Sequence, residues 1–117
     1  MRGQAVWSPP QNGREIAGDL ILATNVNGNF FIAFSKTPLV IATAEVEDGQ
    51  WEIRFGDDQY AWRGGGTPPD RFIWFQLSRA LLGGDLTDGW KFDRAIGSLW
   101  RLQNARTGEK LEGEFFQ

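Results

Sequence analysis

Apolar and polar residues alternate along much of the chain, and this period of two is typical of β-strands with one buried face. The clearest case is the segment in which Trp51, Ile53 and Phe55 alternate with Glu52 and Arg54. Similar segments bounded by turn-forming residues predict about eight strands, at residues 15–24, 30–35, 39–46, 51–55, 59–63, 90–93, 98–105 and 110–116. Residues 30–35 are apolar at almost every position, which predicts a central strand covered on both sides.

Residues 71–82 carry the only clear helical pattern. Thr67 and Asp70 have the types and spacing of an N-terminal cap, and Pro68 suits the first helical position. Gly83 stands where a left-handed residue commonly ends a helix. An apolar stripe recurs at helical spacing and consists of Ile73, Leu77, Ala80 and Leu81. Further apolar residues beside the stripe make most of the helix surface apolar; they are Phe72, Trp74, Phe75 and Leu82. The helix is therefore expected to lie against a sheet.

These elements predict a mainly β fold with one covering helix. Short connections favour antiparallel neighbours, and the sheet has to curl if one helix is to cover its apolar face. The expected architecture is a curled antiparallel sheet, that is, a half-open barrel. Residues 15–117 are expected to form this single domain, and residues 1–14 an extended arm with a possible short strand around Trp7.

The amino-acid composition limits the classes of function that the protein can have. The chain has 117 residues, with six Trp and nine Phe but no Cys and no His. Disulfide and thiolate chemistry are therefore excluded, and the commonest metal ligand and general base is missing. A net charge of −3 with scattered Lys and Arg argues against a nucleic-acid partner. We expect no catalytic activity, no metal and no cofactor.

Two interpretations of the cellular location remain open. No apolar run is long enough to cross a bilayer. Residues 1–15 are polar and contain two prolines, unlike a signal peptide. Either the protein is intracellular, or an upstream signal precedes this sequence.

Seven aromatic residues occupy alternate positions, and therefore one face, within each of their predicted strands; they are Trp51, Phe55, Tyr60, Trp62, Trp90, Phe92 and Trp100. Rings at strand spacing usually pack inward, so a filled core is the first interpretation. The second is an apolar ligand pocket between the curled sheet and the helix, since bulky rings also line such sites. The residues expected to line this pocket are Trp51, Phe55, Trp62, Phe72, Trp74, Leu77, Leu81, Trp90 and Trp100.

Carboxylates are weaker candidates for chemistry. Glu112 and Glu114 share one strand face about 6–7 Å apart, a spacing compatible with glycoside hydrolysis. Nothing in the sequence indicates a raised pKa for either residue, so contact with solvent is the better interpretation. Four aspartates are better explained as turn-forming residues than as calcium ligands; they are Asp57, Asp58, Asp85 and Asp88.

Gly64, Gly65 and Gly66 precede the helix, as glycines do in a phosphate-binding loop. The Lys-Ser/Thr pair of such a loop is missing, and Pro68 and Pro69 remove two N–H donors. A hinge is the better interpretation, and it would let the helix act as a lid.

Leu39 follows a break in the strand pattern. Pro38 cannot donate a hydrogen bond to a sheet ladder, so the chain is expected to kink there. Leu39 then either enters the core or projects from a loop tip toward a membrane or a partner.

Several short motifs resemble the lipoprotein-localisation (Lol) family, which comprises an outer-membrane lipoprotein receptor and a periplasmic lipoprotein carrier. The motifs are spread over roughly residues 16–92. They are Ser35-Lys36-Thr37-Pro38-Leu39, Trp51-Glu52-Ile53-Arg54-Phe55, Asp58-Gln59-Tyr60-Ala61, and Leu81-Leu82-Gly83-Gly84-Asp85-Leu86 before Trp90.

This resemblance implies a half-open β-barrel, with helices as a lid over a cavity for lipoprotein acyl chains. It implies that Leu39 projects toward a membrane, and that the protein is periplasmic or associated with the outer membrane. An apolar ligand or a lipoprotein is the implied partner. The chain departs from the family in having one clear helix and no lipid-accepting N-terminal cysteine.

Three functions are consistent with the sequence. The favoured one is non-catalytic binding of an acyl chain or lipoprotein lipid between the sheet and a lid helix. The second is a carbohydrate-binding module, with Trp62 and either Trp74 or Trp90 as exposed stacking platforms beside donors such as Arg63 or Gln59. The third is a structural or interaction domain with a filled core and no ligand.

Overall fold

The computed structural model describes residues 1–11, 13–56, 60–87, 89–94 and 97–116. Within these ranges the chain forms one helix, α1 (Ile73–Leu81), and nine strands. The strands are β1 (Arg2–Ser8), β2 (Ile16–Thr24), β3 (Phe30–Lys36), β4 (Leu39–Glu47), β5 (Gln50–Phe55), β6 (Tyr60–Gly65), β7 (Trp90–Arg94), β8 (Leu99–Asn104) and β9 (Lys110–Phe116). The mainly β fold with one helix is confirmed, and each predicted strand is present.

The nine strands form one antiparallel sheet in the order β6-β5-β4-β3-β2-β1-β9-β8-β7. The terminal strands of this order, β6 and β7, do not pair with each other in the described residues, so the sheet is not closed. A flat sheet of this size, with strands about 4.8 Å apart, would be wide and thin. Instead the principal extents are nearly equal, at 34, 32 and 31 Å. The predicted curled, half-open sheet is therefore confirmed.

The N-terminal segment is part of this sheet. β1 lies between β2 and β9 and pairs with both along its length. Residues 2–8 therefore join the two halves of the sheet, whereas residues 1–14 were expected to form an arm outside the domain. The apolar pattern of β1 is weak because two of its inward positions are the small residues Gly3 and Ala5.

Glycines allow close approach of the strands around β1. A Cβ atom on Gly18 of β2 would lie 2.5 Å from the carbonyl oxygen of Ser35. A Cβ atom on Gly113 of β9 would meet the carbonyl oxygen of Gln4. Any other residue would push the neighbouring strand away, so the curl of the sheet depends on glycine at these positions.

The start of the helix differs from its prediction. α1 begins at Ile73, and its N-cap is Phe72, which is extended and makes no side-chain cap. The assignment of Thr67 as the cap was wrong. Pro69 disfavours the helical conformation of the residue before it, and that residue is Pro68, the expected first position of the helix.

The C-terminal end and the buried face of α1 agree with the prediction from the sequence pattern. Gly83 has a φ of +78°, and the N–H of Gly84 donates to the carbonyl oxygen of Arg79 at 2.9 Å. Ile73 and Leu77 of the predicted stripe are fully buried. The helix packs on β3 and β4, so it covers the middle of one half of the sheet.

The core lies between α1 and the inward face of the sheet. Fully buried apolar side chains from both layers meet there, among them Leu20, Ile32, Phe34, Ile53 and Leu77. The opposite face of the sheet is open to solvent, and Phe31 of β3 is 38% exposed on it. The prediction that residues 30–35 are covered on both sides was wrong, because α1 covers the inward face only.

Candidate functional site

Four of the predicted ligand-lining residues lie deep in the structure. Trp74, Leu77 and Trp100 are at most 2% exposed, and Trp90 is 9% exposed. Trp74 stacks on Phe34 with ring centroids 5.2 Å apart. These side chains occupy the core rather than an open surface.

Aromatic packing fills the space beneath the middle of the helix. Trp7 of β1 meets Trp74 edge-on at 5.4 Å and Phe34 at 6.5 Å. The best-formed clefts among the described residues have volumes of about 290–600 Å³, and those clefts have no lining residue in α1. A ligand that reaches the concave face therefore has to enter where the rings are less enclosed.

Such a place exists beside the start of the helix. Phe55 of β5, Trp62 of β6 and Phe72 before α1 touch one another, with ring centroids 5.8–6.0 Å apart. We call this three-ring cluster the aromatic mouth. Trp62 is 41% exposed although it touches both other rings, and β6 is a terminal strand, so no further strand pairs beyond it. Three of the residues predicted to bind a ligand are thus brought together at the surface.

The aromatic mouth is continuous with the core. The Phe72 ring lies 6.1 Å from that of Phe75 in α1. Phe75 in turn meets Trp51 at 5.9 Å and Phe30 at 6.2 Å. A path of ring contacts therefore leads from solvent at Trp62 to the buried side of β3. Leu81, the last predicted lining residue, is half-buried and packs against the core elsewhere.

Hydrogen bonds fix the chain just before the helix. The carbonyl oxygen of Asp70 accepts from Trp90 Nε1 at 2.9 Å and from Gln76 Nε2 at 3.0 Å. Gln76 Nε2 also donates to Thr87 Oγ1 at 2.9 Å. Trp90 therefore anchors the segment that carries Phe72, a role that its strand pattern did not indicate.

A buried carboxyl group lies at the turn before β9. Glu109 is 6% exposed, and its Oε2 accepts a hydrogen bond from Trp7 Nε1 at 2.9 Å. Burial raises the pKa of Glu109 to about 7, although the Trp7 hydrogen bond acts in the opposite direction. Sequence reasoning missed this pair, because the two residues are 102 positions apart and no local pattern marks a buried glutamate.

Glu112 and Glu114, the two carboxylates that share a face of β9, both contact neighbouring side chains. A hydrogen bond from Lys110 lowers the pKa of Glu112, and Arg101 adds to the shift, whereas a general acid needs a raised pKa. Glu114 accepts a hydrogen bond from Ser98 Oγ at 3.0 Å. In the described part of the chain, no three acidic side chains gather in a group that could hold a metal ion.

Several predicted positions lie outside the described residues, namely Asp57, Asp58, Gln59 and Asp88. Leu39 is described and lies at the first position of β4, after the cis peptide bond between Thr37 and Pro38. Its side chain is 60% exposed, so it projects from the turn and does not enter the core. In the ranges that the structure covers, no helix has both the length and the apolar character required to cross a membrane.

Comparison with known proteins gives no assignment. No family model matches the chain, and no curated protein or solved structure matches it.

Proposed function

We propose that the protein is a non-catalytic binder of apolar ligands such as acyl chains, and that the aromatic mouth makes first contact with them. The observation that carries this proposal is Trp62, which stays 41% exposed while it touches Phe55 and Phe72. An exposed ring cluster that is continuous with the core offers a ligand apolar surface without any change of fold.

The energy available at this surface is appreciable. A ligand that covered the exposed part of Trp62 would remove roughly 100 Å² from water, worth about 2.5 kcal/mol. Contact with the exposed edges of Phe55 and Phe72 would add to this. Deeper entry requires the start of α1 to move. Gly64 and Gly65 of the predicted hinge are paired with β5, so Gly66, which follows β6 with a φ of +77°, is the glycine suited to such a movement.

The resemblance to the lipoprotein-localisation family extends the proposal to the acyl chains of lipoproteins. In this form of the proposal the protein works in the periplasm or at the outer membrane. The exposed side chain of Leu39 supports contact with a membrane surface, because it is an apolar group presented at a turn. The curled half-open sheet is the architecture that the resemblance implies.

A fluorescent fatty-acid analogue tests the proposal. Energy transfer from Trp to a dansyl-labelled acyl chain reports binding, and the wild type should bind it at micromolar protein. Trp62→Ala should weaken binding about tenfold or more, since 1.4 kcal/mol corresponds to a factor of ten. Leu99→Ala is the matched control, because Leu99 is 49% exposed on the outward face, away from the mouth. Absence of binding by the wild type would contradict the proposal.

Carbohydrate binding is the second candidate, and one observation favours it. Tyr60 and Trp62 are two residues apart on β6, on the same face, and are 62% and 41% exposed. The other platforms suggested by the sequence, Trp74 and Trp90, are buried and unsuitable. Quenching of Trp emission by soluble oligosaccharides, abolished in Tyr60→Ala, would favour this function over the first.

A ligand-free structural domain predicts a third outcome. In that case neither the acyl probe nor an oligosaccharide binds the wild type. Trp62→Ala then changes only the free energy of unfolding.

A further inference from the structure

An arginine stands at the rim of the aromatic mouth. The Arg71 guanidinium carbon lies 4.5 Å from the centroid of the Phe72 ring, within the range of a cation–π contact. Arg71 is exposed, and no carboxylate among the described residues pairs with it. Its neighbour Asp70 faces Arg79 instead, at 3.6 Å. Within the described residues, the mouth therefore carries a positive charge that is not paired with a carboxylate.

Stacking leaves the hydrogen-bonding capacity of this arginine intact. A guanidinium that lies over a ring contacts it with its face, while the N–H donors point outward in the guanidinium plane. These donors match the oxygens of a carboxylate, sulfate or phosphate. The contact with Phe72 also restrains the side chain, which lowers the entropy lost when an anion binds.

The beginning of α1 adds to the positive potential of this region. Its first turn contains no acidic residue, and its N-cap Phe72 offers no side-chain acceptor. The partial positive charge of the helix N-terminus is thus not offset by a side chain of its own cap or first turn. Arg71 and the helix end together place positive potential directly beside apolar rings.

From this juxtaposition we infer the class of ligand: a single-chain amphiphile with an anionic head group. The head group binds Arg71, and the alkyl chain lies on Phe72, Trp62 and Phe55. This inference rests on the proposed function and narrows it, because a neutral chain would use the rings but not the arginine.

Decanoate and decanol, used as monomers at neutral pH, test the inference. They have equal chain length and differ in the charge of the head group. Displacement of the dansyl-labelled acyl chain from the full chain gives both affinities. We expect the wild type to prefer decanoate about five- to tenfold, as for one charge-assisted contact at a solvent-exposed rim. This preference should decrease as salt is added.

Arg71→Gln should abolish the preference, because it weakens the binding of decanoate more than that of decanol. Arg94→Gln is the matched control, since Arg94 also lies over a phenylalanine, 5.7 Å from the centroid of Phe92, but outside the mouth. It should keep the preference of the wild type. Equal binding of both probes by the wild type, or a preference that persists in Arg71→Gln, would overturn the inference and leave the proposed function standing. Binding of neither probe would overturn both.

Discussion

Replacement of Glu109 by Gln should change how stability depends on pH. In the folded protein the pKa of Glu109 is raised to about 7 by burial, against an ordinary value of 4.5. Between these two values the folded state holds a proton that the unfolded state has released. The free energy of unfolding therefore falls as pH rises through this window, and the contribution is constant below and above it. A shift of this size corresponds to about 3 kcal/mol.

The Glu109→Gln variant removes the titrating group but keeps an oxygen that can accept the hydrogen bond from Trp7 Nε1. Its stability should equal that of the wild type near pH 4.5 and exceed it by about 3 kcal/mol at pH 8, the full linkage contribution. Urea unfolding followed by Trp fluorescence at several pH values gives both curves. Other groups that titrate affect both proteins alike, so the difference between the curves isolates Glu109.

A matched control is Glu15→Gln, which replaces an exposed glutamate and leaves Glu109 in place. This control should retain the pH dependence of the wild type. The reasoning would be refuted if wild type and Glu109→Gln gave parallel curves from pH 4.5 to 8.

Two further predictions concern a hydrogen bond and a close strand contact that support the structure around the site. Trp90→Phe keeps a six-membered aromatic ring but removes the pyrrole part of the indole and its donor to the Asp70 carbonyl. Urea unfolding should show a loss of about 1 kcal/mol from the hydrogen bond, with a further loss from the smaller buried side chain; no loss would mean that this hydrogen bond does not hold the segment. Gly113→Ala should lower stability by about 2 kcal/mol or more, because its Cβ meets the carbonyl oxygen of Gln4. Gly65→Ala in β6 should be tolerated, because its Cβ would make only ordinary contacts, at 3.4–3.8 Å, with Gln50 and the carbonyl oxygen of Gly49. Equal losses in both variants would contradict the account of the curl.

The local pattern of apolar and polar residues was sufficient to predict most of the secondary structure. Alternation such as that of Trp51, Ile53 and Phe55 reports directly which strand face is buried, since the period is a property of the strand itself. It failed for β1, whose inward Gly3 and Ala5 are small because the neighbouring strands come close. It also failed at Thr67, where a favourable cap residue was overridden by the prolines that follow it.

The candidate site was only partly predictable. Parity identified Phe55 and Trp62 as inward-facing, but it does not report how far an inward side chain is covered by the rest of the fold. Trp62 on the terminal strand β6 is 41% exposed, whereas Trp90 on the terminal strand β7 is 9% exposed and Trp100 on β8 is 2% exposed. Long-range contacts such as Trp90 to Asp70 are likewise invisible in the sequence.

The most direct test of the account is the response of the six Trp indole N–H resonances to decanoate, followed by NMR on the full chain. The account predicts that the Trp62 resonance shifts with added decanoate. The Trp100 resonance should stay in place, because its ring is stacked between Phe92 and Phe115 outside the mouth. An unchanged Trp62 resonance at saturating decanoate would contradict the claim that the aromatic mouth is where an apolar ligand binds.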